Sequence, residues 1–295
     1  MRAAHGTLRL RMSRTLPLLA AAAILGCAPQ SVDAVSCGAG SCSAAGAAGL
    51  AGAGGAGGSV GTGGAGVGAG AVVHRYSFDA SPDGVEVVDS VRGWNGVLVG
   101  AVYGEGEAAG TVLLAGKDSN QYVDLPNHLL DGLKDATLEA WVIWAGGSAW
   151  QRIFDFGEDE TGIDGSRNGV PRSYIFLSFN PRPRFAFARP RAPTSEILMT
   201  GVNAIAAGGL THVAVVISET AQLATLFVDG LEAASMPFPA SLSDVYDVNN
   251  WLGRSQFLAD PGFEGSFTEF RIYDRALSAS ELSASFEAGP DANVP

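Results

Sequence analysis

From Val72 onward the sequence predicts an all-β fold, a two-sheet antiparallel jelly-roll sandwich with one short C-terminal helix. Three observations predict it. Short runs of β-formers recur between clusters of Gly, Pro, Asn and Asp, the spacing of a sandwich or jelly roll. No long apolar segment of 3.6-residue period appears before the end of the chain. The one clear helix-start signal, Ser278-Ala279-Ser280-Glu281, follows the last strand.

The N-terminal part carries an address rather than a core. Arg2, Arg9, Arg11 and Arg14 precede an apolar run from Leu16 to Leu25. That run is too short to cross a bilayer of roughly 30 Å as a helix, so it reads as a secretory signal. It ends in Ile24-Leu25-Gly26-Cys27, which resembles the lipobox of bacterial lipoproteins. The resemblance implies a signal peptide over 1–26 and a lipidated Cys27 as the mature N-terminus. It also implies a protein of the bacterial cell envelope, held to a membrane by lipid and facing the periplasm or the cell surface. An ordinary secretory leader, with Cys27 incidental, is the other reading. Met12-Ser13-Arg14 makes a more compact basic region than a start at Met1, so translation from Met12 is expected. In the anchor segment 27–43, Cys37 and Cys42 flank Gly38-Ala39-Gly40-Ser41 and are expected to form a disulfide. A structural zinc site needs more cysteines than these. Residues 44–71 are almost only Gly and Ala. They have too little bulky apolar surface to offset ordering entropy and read as a flexible linker, with a mean span of about 30 Å.

The domain at 72–290 divides into elements in order. His74–Asp79 alternates, with His74, Tyr76 and Phe78 on one side. Gly96–Val99, Thr111–Leu114 and Gln121–Leu125 follow, the last ending at Pro126. Thr137–Trp144 is long and apolar, so it is placed at the centre of a sheet. Arg152–Phe156, Tyr174–Phe179 and Arg184–Ala188 continue the series. His212–Ser218 and Leu223–Val228 flank a short polar turn and predict a hairpin, and Phe267–Tyr273 is the last strand. A helix is predicted from Ala279 to Phe286, with Leu277 and Leu282 as a hydrophobic staple and Gly289 at its end. Its role is structural, with an apolar face on the sandwich.

Several segments together resemble the laminin-G-like, concanavalin A-type jelly-roll family. They are Asp89-Ser90 with Trp94-Asn95-Gly96, Leu138-Glu139-Ala140-Trp141-Val142, Arg152-Ile153-Phe154-Asp155-Phe156-Gly157, Thr211-His212-Val213-Ala214, and Leu226-Phe227-Val228-Asp229-Gly230. Trp251-Leu252-Gly253 and the stretch Gly265 to Ser278 complete the set. The resemblance implies a glycan or an envelope protein as partner, and calcium near the sandwich rim with Asp79 at an acidic position that serves the metal. At the place in the closing strand where that family usually brings a second acid, this chain has Thr268.

The residues themselves leave several readings side by side. Trp144 and Trp150 flank a Gly-Gly turn and either stack on sugar rings or pack at the rim. Arg182, Arg184, Arg189 and Arg191 interleave with Phe185, Phe187, Pro183 and Pro190. As an exposed hairpin they would present cations beside ring faces to an acidic sugar; as an edge strand they would guard against aggregation. Glu158-Asp159-Glu160 with Asp164 is either a second cation site or a solvated loop. Trp141 and His212 read as packed residues rather than as a ligand platform and a catalytic base. The net charge of −12 argues against a nucleic-acid partner, which needs a concentrated basic surface. A hydrolase needs two carboxyl groups about 5–5.5 Å or 6.5–9.5 Å apart, and the strand interiors offer only isolated acids such as Glu139 and Glu269. A lipid-anchored extracytoplasmic binding module is therefore expected, with a glycoside hydrolase or lyase and a structural envelope protein as its rivals.

Overall fold

The computed structural model describes residues 72–81, 83–116, 120–190 and 196–292. The sites expected at Cys27, Cys37, Cys42 and Arg191, together with the leader and the Gly/Ala linker, lie outside the described residues. In chain order the strands are β1 (Val72–Tyr76), β2 (Glu86–Val87), β3 (Gly96–Val99), β4 (Val102–Tyr103), β5 (Val112–Ala115), β6 (Tyr122–Leu125), β7 (Asp135–Trp144) and β8 (Gln151–Asp159). They continue with β9 (Pro171–Asn180), β10 (Arg182–Ala188), β11 (Ile197–Thr200), β12 (Leu210–Ser218), β13 (Leu223–Val228), β14 (Leu231–Pro237), β15 (Asn249–Leu252) and β16 (Glu264–Tyr273). One α-helix, α1 (Ala279–Ala288), ends the series.

The strands form two antiparallel sheets, as predicted. The first runs β14-β13-β12-β7-β16-β5-β4, and β1 also pairs with β16. The second runs β11-β10-β9-β8-β15-β6-β3-β2. The interior between them follows from period-two alternation. Leu138, Ala140, Val142 and Trp144 of β7 meet Phe154, Phe156, Ile175, Leu177 and Phe179 of the opposite sheet in one apolar cluster. Thr137–Trp144 is central, as its apolar run implies, since β7 lies between β12 and β16. The predicted hairpin forms from β12 and β13.

Several elements depart from expectation, among them the short strands β2, β4, β11 and β15, which lie outside the predicted series. The first strand stops at Tyr76 because Phe78 turns to φ 55°, although its ring still reaches the core. β14 was not expected, since Leu231–Pro237 has little β-branched or buried character. Pairing with β13 makes it the sheet edge. Register shifts also break the alternation in several strand pairs, and two of them matter here. Between Arg152 and Phe154 the register of β8 slips by one, and between Phe267 and Glu269 the same happens in β16.

The helix has the predicted cap. The Ser278 hydroxyl accepts from the Glu281 amide at 3.3 Å, and the Glu281 carboxylate accepts from the Ser278 amide at 2.8 Å. Leu282 is fully buried in a small cluster with Phe227, Tyr273 and Leu277. This cluster fixes α1 over the outer surface of the first sheet. The helix closes at Gly289, whose φ of 85° suits glycine.

Candidate functional site

Each sheet has an outer face, and the two faces differ. On the first sheet β7, β12 and β16 send Glu139, Trp141, His212, Glu269, Arg271 and Tyr273 outward, and all are buried. Glu139 accepts from His212 Nε2 and from the Tyr273 hydroxyl, each at 2.8 Å. His212 Nδ1 accepts from the Gly230 amide at 3.3 Å. Arg271 donates to Glu269 at 2.6 Å, and its guanidinium carbon lies 4.6 Å from the Trp141 ring centroid. Burial works against the Glu139 charge, but the hydrogen bond and charge of His212, with Arg271 nearby, leave its carboxyl below the usual range. The two acids that look isolated in sequence therefore meet through Arg271, closed beneath α1. Trp141 and His212 are packed there.

The outer face of the second sheet has no helix over it among the described residues; Arg152, Asp155, Phe176 and Trp251 on it are buried, and depressions open beside them. Register places Arg152 of β8 opposite Ser178 of β9, and Ser178 opposite Arg184 of β10. A neighbouring row runs Ala186, Phe176, Asp155, Trp251 and Asp124 across β10, β9, β8, β15 and β6. The bulge in β8 is what lets Arg152 and Asp155, three residues apart, share this face. In a regular strand they would point to opposite sides. Arg152 is buried and held on all sides. It donates to Asp155 at 3.0 Å, to Asp260 at 2.6 Å and to the Trp150 carbonyl at 2.9 Å. Its guanidinium lies 3.8 Å from the Phe176 ring centroid. Burial pushes the Asp155 carboxyl up to about 6, against the pull of Arg152.

Trp150 stands at the end of this row. It is half-buried, and its backbone takes φ 72°, a conformation that a bulky residue rarely adopts. Its amide donates to the Phe179 carbonyl at 3.0 Å, and its ring lies 4.4 Å from the Arg184 guanidinium carbon. Trp150, Arg152, Phe176, Glu196, Phe257 and Asp260 line a depression of about 250 Å³. Asp260 also borders a second one of about 440 Å³, whose walls include Asn120, Gln121, Ser148, Arg167 and Arg254. The loop after β15 builds the wall between them. It starts at Gly253, where φ is 84° and a Cβ would collide with Leu114.

The sequence-predicted residues separate on this surface. Trp144 is not a sugar platform, because alternation in β7 turns it into the core. There its indole N–H donates to Gln151 at 3.1 Å, and its ring meets Phe179 edge-on at 5.5 Å. Trp150 is the half-buried member of that pair. The arginines do not lie beside Phe185 and Phe187, because these rings point inward while Arg182 and Arg184 point outward. Nor is β10 an edge strand, since β11 pairs outside it. Arg189 turns away to the Pro239 carbonyl at 3.3 Å and to Asp244 at 4.0 Å. The acidic cluster divides: Glu160 and Asp164 are exposed, as in a solvated loop, and Glu158 and Asp159 brace the loop from within. Asp159 is buried and accepts from the Thr161 and Asn168 amides and the Ser166 hydroxyl, and Glu158 faces Arg172 at 3.4 Å. Asp79 is exposed and accepts from the Ser77 hydroxyl at 3.1 Å. Calcium takes six to eight oxygens, and Asp79 alone does not make such a site. Among the described residues, one group of three His and Asp side chains has ligand atoms within 4.8 Å of one another: His128, Asp131 and Asp247. Asp79 is outside it.

Sequence reasoning missed Arg152, Asp155, Arg254 and Asp260. The Arg152-Ile153-Phe154-Asp155 run reads as a strand and carries no sign of the bulge, because the bulge is set by pairing.

A family model described as the concanavalin A-like lectin/glucanases superfamily matches residues 117–283. No curated protein matches the chain. Among solved structures it is similar to domain 4 of an extracellular GH43 arabinanase from Geobacillus stearothermophilus in complex with arabinotriose. The TM-score is 0.53 at 19% identity, covering 73% of this chain and 98% of that one. The binding domain of botulinum neurotoxin serotype G gives a TM-score of 0.53 at 11% identity, covering 74% of this chain and 51% of that one. A Trypanosoma rangeli sialidase in complex with 2,3-difluorosialic acid gives 0.52 at 16% identity, over 73% of this chain and 32% of that one. At these identities the likeness is one of fold.

Proposed function

Because the chain belongs to the concanavalin A-like lectin/glucanase superfamily, we propose that it is a glycan-binding module whose ligand lies on the outer face of the second sheet. The observation that carries this reading is Trp150. Its half-buried ring is presented on a left-handed backbone, beside Arg184 and over a depression floored by Arg152 and Phe176. Aromatic faces take the apolar side of a sugar ring, and fixed polar groups around them set orientation. The arabinotriose of the arabinanase domain belongs to that domain; the support here is this chain's own surface.

The test is a panel of neutral and acidic glycans titrated into the purified protein. Trp150→Ala is expected to weaken the binding at least about thirtyfold, the effect of a hot-spot residue of about 2 kcal/mol. Unchanged affinity in that variant would remove the site from this face. Release of reducing sugar, abolished by one carboxylate substitution, would make the protein a hydrolase or lyase. Co-purification with an envelope protein, without glycan binding, would make it structural.

The proposal extends to the address. Cys27 is the lipidated residue, Cys37 and Cys42 pair, and the linker holds the domain away from the membrane in the cell envelope. The lipobox-like Ile24-Leu25-Gly26-Cys27 supports this. Several acyl chains at about 0.8 kcal/mol per buried CH₂ anchor firmly. Labelling with radioactive palmitate, lost in Cys27→Ser, is the expected result. The calcium implied for Asp79 has its own test: with the ion there, EDTA lowers the melting temperature of the wild type and not of Asp79→Ala.

A further inference from the structure

We propose that the larger depression, between Arg254 and Arg167, is a subsite for the carboxylate of an acidic sugar. This rests on the glycan-binding reading and names the class of glycan. The Arg254 guanidinium carbon lies 4.1 Å from the Trp251 ring centroid and 4.4 Å from that of Tyr122. The two rings meet edge to face at 5.8 Å, so they hold the cation in their corner. Its Nε is buried without a hydrogen-bond partner among the described residues. Arg167 lines the same depression. Its Nε is likewise buried and unpartnered, and one Nη donates to the Ser255 carbonyl at 3.3 Å.

The contrast with the other buried arginines decides the reading. Arg152 and Arg271 each have a carboxylate within 3.0 Å, and Arg152 has two. Among the described residues neither Arg254 nor Arg167 has one in ion-pair range. Asp260, which borders the depression, is held by Arg152 and by the Ser255 hydroxyl at 2.9 Å. Partly desolvated cations without a directly bonded counter-charge are costly, and ring faces offset only part of that cost. Burial lowers the pKa of both groups, and the charge of Arg254 lowers that of Arg167 further, against the more distant charges of Asp124 on Arg254 and of Asp260 and Asp155 on Arg167. A guanidinium stays protonated at neutral pH all the same. Those three acids act on the pair through their charge alone; what the pair lacks among the described residues is a directly bonded carboxylate, and a planar carboxylate matches the fork of a guanidinium.

The sugar follows from what surrounds the pair. Asn120, Gln121 and Ser148 on the walls offer polar groups to ring hydroxyls, and about 440 Å³ is within the size of small-ligand sites. Asp260 is common to this depression and to the one floored by Phe176 and edged by Trp150. A chain of sugar units can thus put one ring on Trp150 and a carboxylate beside Arg254.

The experiment uses the full chain and oligosaccharides of galacturonate, glucuronate and mannuronate, each compared with its methyl ester, by calorimetry at low salt. At least one acid is expected to bind about tenfold tighter than its ester, the yield of one charge-assisted pair. Arg254→Gln should close that gap while leaving the affinity for the ester. Arg167→Gln provides the same reading if Arg254→Gln fails to fold, and added salt should narrow the gap in the wild type. Acid and ester binding alike, a gap that survives both variants, or polyglutamate binding as tightly as the acidic sugar would overturn the proposal. In the first of these cases the glycan-binding reading stands. If no neutral or acidic glycan binds at all, that reading fails and takes this subsite with it.

Discussion

The two outer faces of the sandwich carry similar residues and use them in opposite ways. Both place arginines against aromatic rings. On the first sheet Arg271 lies over Trp141, but Glu269 and the Pro290 and Ala292 carbonyls complete its hydrogen bonds, and α1 seals the group from water. On the second sheet Arg254 lies over Trp251 and Tyr122, with no carboxylate in ion-pair range among the described residues and no helix above it. A polar group that the fold itself completes is part of the structure. One left incomplete beside an open depression is available to a ligand. The difference lies in what covers each face, and the covering element is a helix of ten residues.

The comparison breaks first at Arg271. Arg271→Ala would leave the buried carboxylates of Glu139 and Glu269 without their shared cation. A loss of about 3–5 kcal/mol in urea unfolding is expected, the cost of breaking a buried ion pair from one side. A loss below about 1 kcal/mol would mean that the first face is not a structural network. Leu282→Ala comes next. It empties the fully buried contact that seats α1, and a cost of about 2–3 kcal/mol is expected. Glycan affinity should not change, because α1 is on the opposite sheet from the proposed site. The third effect is the affinity loss in Trp150→Ala. It sharpens the comparison if the melting temperature moves little, since the ring is half-buried.

How much of this was legible in the sequence depends on what each residue answers to. Strands such as Thr137–Trp144 and His212–Ser218 were legible because they are continuous apolar runs between turn signals, buried on both faces. The helix was legible because its cap is a local device, with Ser278 and Glu281 three residues apart and bonded to each other. The site was much less so. Trp144 and Trp150 look alike beside a Gly-Gly turn, yet one is in the core and the other on the surface. Which is which follows from alternation in β7, and that is readable. Arg152 and Asp155 were not readable, because a bulge fixed by pairing with β9 places them together. Arg254 and Asp260 come from a loop whose path over the sheet is set by contacts distant in sequence.

The smallest predicted effect concerns pH and separates Asp124 on the second face from Glu139 on the first by sign. Burial, with the charge of Asp164, pushes the Asp124 carboxyl up to about 6, against the pull of Trp251 and Arg254. An unfolded aspartate titrates at about 3.9. A folded pKa above the unfolded one means that the fold prefers the protonated form. That contribution to stability is complete below about pH 4 and is lost as pH rises through about 6. At pH 7.5 the folded chain therefore carries a charge it disfavours, and Asp124→Asn removes the charge while keeping the shape. The variant should melt above the wild type at pH 7.5, with the gap closing at pH 4. Glu139, held below the usual range, has the opposite sign. Its contribution is present above the unfolded pKa and lost as pH falls, so Glu139→Gln should destabilise more at pH 7.5 than at pH 4. Melting curves of both variants at the two pH values check this. The same sign for both would mean that burial and pairing act on the two carboxyls alike.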